Sequence, residues 1–284
     1  MIEALCLEYA AARCAARLAS RPDERAWQQF HSARTLAALL EAARTASIAP
    51  WASGIGPAAT LDEIELAFRQ QWRTRVAELA GWVPEGWRDA VLWTQTLIDL
   101  PALPRLIDDA APPRWVASDP VLAPYVEGDL ARDHVARRAR LAAGRLAPVV
   151  DALLADLLNT APARRPQHRR EPALPAVLAA WRRHWCMLWP ALAEEPRADL
   201  ESMAGVIGRH VVQFGSLHPD NAAPARAALQ HRMLSLARRH AGEPVALFAW
   251  LALLALDLER LRGECLARTA QAWWAAHDAE LNAA

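Results

Sequence analysis

No lysine occurs in this chain. All 32 basic residues are arginine, and 32 acidic residues balance them to a formal net charge of zero. That balance lacks the net positive charge expected of a nucleic-acid binder. Cysteine is scarce: Cys6, Cys14, Cys186 and Cys265 lie far apart with no C-x-x-C pair. Such spacing speaks against a zinc ribbon or a disulfide framework and fits a reduced, cytoplasmic setting. Strand-forming runs of Val, Ile and Thr are missing too, which removes the β classes. A bilayer-spanning helix needs about twenty apolar residues, and the run from Val245 to Leu256 stops at twelve. The first residues carry Glu3 and Glu8 where a secretory signal has positive charge, so the expectation is a soluble or peripheral protein.

What is present is Ala, Leu and Trp. Apolar residues make up 54% of 284 positions, and thirteen Trp stand against two Tyr and four Phe. Good helix formers at this density predict an all-α fold of about ten helices, a single helical domain over 1–284. The segment Val245 to Leu256 has no polar side chain apart from the Trp250 indole. A helix apolar on every side must be wrapped by others, so this stretch is read as the central helix, opened by Gly242-Glu243-Pro244 and running on through Trp273 and Trp274.

Helical periodicity also predicts helices over Ile2 to Leu18, Asp23 to Phe30, and a third capped by Ser32 through Leu36, Leu39, Leu40 and Ala43. Residues 48–59, with Pro50, Gly54, Gly56 and Pro57, read as a loop. Thr60-Leu61-Asp62-Glu63 has the capping-box form and should start a helix ending near Ala80. A Trp-rich helix over Gly86 to Leu100 follows, then only short pieces among the prolines from Pro101 to Pro124. Asp129 to Leu158 is helical with a break near Gly144 and Pro148, and further helices end at Pro190 and span about Ala198 to Phe214 and Ala222 to His240. The polar, proline-interrupted stretch from Asn159 to Pro172 reads as an exposed linker dividing 1–158 from 173–284. A Leu-rich helix leading to a Thr occurs twice, at Leu36 to Thr45 and Leu153 to Thr160, a faint sign of internal repetition.

No motif for covalent or metal chemistry stands out. Asp108-Asp109 lacks the further carboxylates that magnesium needs and reads as a helix end or turn. His31, His134, His168, His210, His231 and His240 sit beside or among arginines, and none has H-x-x-x-H or E-x-x-H spacing; they read as helix-end or surface residues. His184 and Cys186, two apart on one helix, point to different faces and do not make a nucleophile with its base. Arg164, Arg165, Arg169 and Arg170 form a basic patch read as solvated linker. The expectation is therefore no catalytic residue, no cofactor and no metal site. A Trp-lined pocket around Trp82, Trp87, Trp93 and Trp115 is the feature an enzyme for an apolar, isoprenoid-like substrate would use.

Several segments, in order, resemble one family. Tyr9-Ala10-Ala11-Ala12-Arg13 followed by Arg17-Leu18, the Leu-rich run 36–40 leading to Thr45, Leu61-Asp62-Glu63-Ile64-Glu65 with Arg69, and Phe248 to Trp250 leading to Asp257 and Leu261-Arg262 look like the protein that caps the rotor ring of V-type and A-type rotary ATPases. Ser47 stands where that family often has Tyr, and Ala255 where it has Glu. The resemblance implies a helical funnel or bundle with weak three-fold internal symmetry. Its implied partners are the membrane proteolipid ring and the central stalk, and its role is non-catalytic coupling of ATP-driven rotation to ion transport, at the cytoplasmic side of the inner membrane. It also implies that Tyr9, Arg13, Arg17, Thr45, Glu65, Arg69, Asp257 and Arg262 face partners. A general helical scaffold is the remaining alternative.

Overall fold

A computed structural model describes residues 2–107, 111–159, 173–214 and 219–283. Among them are thirteen α-helices, four short 3-10 helices and no strand. The order is α1 (Ile2–Ala19), α2 (Glu24–Ser32), α3 (Leu36–Arg44), α4 (Ala49–Ala52), α5 (Leu61–Ala80), α6 (Glu85–Trp93), α7 (Leu103–Ile107), α8 (His134–Ala142), α9 (Ala147–Asn159), α10 (Ala173–Met187), α11 (Glu194–Phe214), α12 (Pro219–Arg239) and α13 (Pro244–Ala283). The all-α expectation holds, and of the funnel and the bundle it is the bundle. Asp108 and Asp109, and the expected linker beyond Asn159, lie outside the described residues.

The apolar segment behaves as its composition requires. Val245 through Leu251 are all buried, and α1, α3, α5, α11 and α12 pack around α13. Burial of a Leu or Phe side chain contributes about 1.5–3 kcal/mol, so this one segment carries a large share of the folding free energy. α13 as a whole runs unbroken over 40 residues. No described helix is long and apolar enough to cross a membrane.

Local chemistry sets the other boundaries. The capping box forms as read: Thr60 Oγ1 accepts from Glu63 N at 3.3 Å and Glu63 Oε2 accepts from Thr60 N at 2.8 Å. The cap of α3 is Thr35 rather than Ser32. Thr35 has the extended backbone a cap needs (φ −123, ψ 157) and accepts from Ala38 N at 3.2 Å, whereas Ser32 closes α2 and donates back to Gln29 O. The loop over 48–59 contains the single-turn α4, which buries Trp51 and Ala52. The Trp-rich helix stops at Trp93 and tightens into a 3-10 segment over Thr94–Ile98. There the Thr94 and Thr96 hydroxyls donate to the carbonyls of Val91 and Trp93, three residues back, at 2.6 and 2.7 Å. Between α8 and α9, a Cβ on Gly144 would run into the Tyr125 ring and hydroxyl.

Tryptophan welds the layers together. Trp93 stacks on Trp181 and donates to its carbonyl at 3.2 Å, while Trp181 donates to Thr96 Oγ1 at 2.8 Å. Trp185 donates to Ala90 O at 3.1 Å and meets Phe248 of α13 edge-on. The four rings of the alternative Trp-lined pocket are spread over different packing environments. Trp87 and Trp93 are core residues, Trp115 lies beneath Arg69, and Trp82 packs beside Trp250.

Candidate functional site

Four of the charged residues singled out in the sequence, Arg17, Glu65, Asp257 and Arg262, take part in separate clamps that join α1 and the residues just after it, α5 and α13. Arg17 on α1 grips both carboxylate oxygens of Glu78 on α5, and Arg75 adds a third contact to Glu78 at 3.0 Å. Burial works against a charged Glu78, but the hydrogen bonds and charges of Arg17 and Arg75 outweigh it and hold its pKa below the ordinary value. Arg21, just past α1, makes two parallel bonds to Asp257 on α13, at 2.6 and 2.7 Å. Here burial wins over Arg21, and the Asp257 pKa is raised. Glu65 on α5 pairs with Arg262 on α13 at 2.6 Å. These clamps bridge up to 236 residues of sequence, so they register the first helix and the last on a common frame.

Aromatic rings line the same junction. The guanidinium of Arg13 lies 4.3 Å from the Trp82 ring and that of Arg17 4.9 Å from it, both close enough for cation–π attraction. Beside them a half-open cavity of about 200 Å³ is walled by Arg17, Arg21, Arg75, Trp51, Trp250 and Asp257. Two of its walls hold buried N–H groups without an acceptor among the described residues, Arg75 Nε and Trp250 Nε1. A buried unmatched donor costs about 1–3 kcal/mol, which the packing of Trp250 in the core must offset.

A second charged cluster lies wholly inside. Arg69 and Arg73, one turn apart on α5, face Asp99 and Asp119 from the segment between α6 and α8. Arg69 Nε donates to Asp119 Oδ2 at 2.6 Å and its Nη2 to Asp99; Arg73 Nη2 reaches Asp99 at 2.9 Å and Asp119 at 3.0 Å. Asp119 also accepts from the backbone N–H groups of Val121 and Leu122, and Trp115 lies beneath Arg69 at 4.3 Å. For Asp99, burial dominates the two arginines and raises its pKa; for Asp119, burial is outweighed by the hydrogen bonds of Arg73 and Arg69, and its pKa is lowered. Two arginines against two aspartates make the box neutral, the condition for keeping charges inside a protein. Arg73, Asp99 and Asp119 were missed in the sequence. The only local signal was slight: Arg69 and Arg73 stand four apart at the edge of the apolar stripe of Phe68, Trp72 and Val76.

The eight residues of the family resemblance fall into three groups. Arg17, Glu65 and Arg262 sit in the half-buried clamps between helices. Tyr9 and Arg13 are exposed and joined by a 2.7 Å hydrogen bond, and Thr45 caps α3 locally by donating to Ala42 O. Arg69 and Asp257 are buried, at 4% and 5% exposure. These two do not face a partner, because Asp99, Asp119 and Arg21 already take their charges inside the chain. Compared with known proteins, the chain matches no family model, no curated protein and no solved structure.

Proposed function

We propose that this protein is a non-catalytic coupling subunit, a rigid helical body that holds or turns other components of an assembly. In its specific form it is the cap that joins the central stalk to the proteolipid ring of a V-type or A-type ATPase. The observation that carries the reading is the junction of α1, α5 and α13. Four of the residues that bear the resemblance, Arg17, Glu65, Asp257 and Arg262, come from both ends of the chain and act there in clamps that lock long helices together. A coupling part must transmit load without deforming, and close packing with bidentate guanidinium–carboxylate clamps resists both sliding and rotation. The buried thiols of Cys14 and Cys265, pushed up to about 12 by burial, are in the wrong state for nucleophilic work at neutral pH.

Affinity purification from the native host, read by mass spectrometry, tests the proposal. Proteolipid and central-stalk proteins should co-purify, and reversal of Arg13 to Glu should reduce their recovery far more than the small loss of melting temperature that follows from its cation–π contact with Trp82. A protein that purifies alone and turns over an apolar phosphate ester with magnesium would overturn it.

A further inference from the structure

Beside the start of α13, three side chains from α11 and the α12–α13 turn converge. Asp199 comes from α11, His240 follows the last residue of α12, and Glu243 ends the turn that leads into α13. Gly242 takes positive φ (+89) in that turn, and Glu243 N donates to His240 O at 2.9 Å, which brings both side chains to one side. His240 Nδ1 stands 2.9 Å from Glu243 Oε2 and 3.7 Å from Asp199 Oδ2, and all three atoms lie within 4.8 Å of one another. The imidazole side chain is mostly buried, at 12% exposure, whereas the two carboxylates reach solvent.

A plain ion pair does not account for this arrangement. Nδ1 carries at most one proton and can satisfy one acceptor well, yet two carboxylates, which repel each other, flank it. A metal ion has several coordination positions and takes all three. Ligand atoms sharing one ion at about 2.0–2.2 Å stand roughly 3–4 Å apart, so the observed separations need only small side-chain shifts. We propose that Asp199, His240 and Glu243 bind a divalent transition-metal ion, with zinc as the reference, and that the ion staples the α12–α13 corner to α11. One nitrogen and two carboxylate oxygens suit zinc, manganese, cobalt or nickel; calcium and magnesium favour oxygen-only shells. The exposed side leaves coordination positions to water. The H-x-x-E spacing of His240 and Glu243 supplies two ligands from one turn, and only the fold adds Asp199, 41 residues earlier on α11.

The test uses the full chain, stripped with a chelator and titrated with zinc chloride, manganese chloride and magnesium chloride by calorimetry, with thermal melting alongside. Zinc should bind one to one and raise the melting temperature in proportion to its excess over the dissociation constant, and magnesium should do neither. His240→Gln and Asp199→Asn should each weaken zinc at least about tenfold. Glu243→Gln, at a half-exposed position, keeps the apo melting temperature and must weaken zinc as well, so a folding defect cannot mimic the result. Absence of binding at roughly 100 μM zinc, or affinity unchanged in all three variants, overturns the proposal; the second outcome would assign binding to other histidines or thiols.

Discussion

At the scale of single residues, this protein uses charge chiefly to join parts of itself. The buried box shows the cost of that choice. Asp119→Ala would leave Arg69 and Arg73 facing Asp99 with surplus positive charge, and removal of one partner from a buried ion pair costs about 3–5 kcal/mol; urea denaturation should show a loss of that order. Glu78 gives a pH signature. Its folded pKa lies below the ordinary 4.5, so its contribution to stability is fully present above that value and is lost as pH falls through the folded pKa. The stability difference between the wild type and Glu78→Gln should therefore be largest near neutrality and shrink at acid pH; a constant difference would mean that Arg17 and Arg75 do not act on the carboxylate's charge. Asp99 and Asp257, with raised pKa values, act in the opposite sense, each losing its contribution as pH rises past the ordinary carboxylate range. Cys14 and Cys265 should resist alkylation at pH 8 in the folded protein and react only on unfolding, which mass spectrometry of labelled peptides would read. The sequence located Arg69 but not its surroundings. A guanidinium on an amphipathic helix reads as a surface group until the opposing carboxylates, 30 and 50 residues away, are seen to meet it.

At the scale of elements, α13 has the largest consequences. Leu251→Ala, deep in the shared core, should cost about 2–5 kcal/mol, and a melting temperature equal to the wild type would show the helix to be peripheral. Thr60→Ala removes one half of the capping box at the start of α5 and should cost about 0.5–2 kcal/mol, with the loss visible as fraying of the first turn in amide exchange. Helix positions were legible because their signals are local: periodicity, caps, proline and glycine. The ends that differed have local explanations as well. Thr35 outcompetes Ser32 as a cap because the chain is already extended there, and the 3-10 turn after Trp93 follows from threonine hydroxyls bonding to their own helix.

At the scale of the whole molecule, one buried core runs from Ala10 to Cys265 and includes residues on both sides of 160–172. Trp181 is one of the links. Trp181→Ala should cost about 3–5 kcal/mol and lower the melting of α1–α9 together with that of α10–α13, because its partners Trp93 and Thr96 lie before residue 160. Two transitions with only the later one shifted would show the halves to be independent.

Composition and periodicity by themselves determined that the chain is helical, that Val245 to Leu256 lies at its centre, and where most helices begin. Each of these depends on neighbours a few residues apart, or on the simple rule that a fully apolar helix must be covered. The tertiary structure alone decided which charges are internal, which tryptophans lie in the core, and that Asp199 meets His240 and Glu243. Pair energies depend on separation in space, and a chain of 284 residues folded around one central helix brings together groups whose sequence separation carries no sign of the encounter.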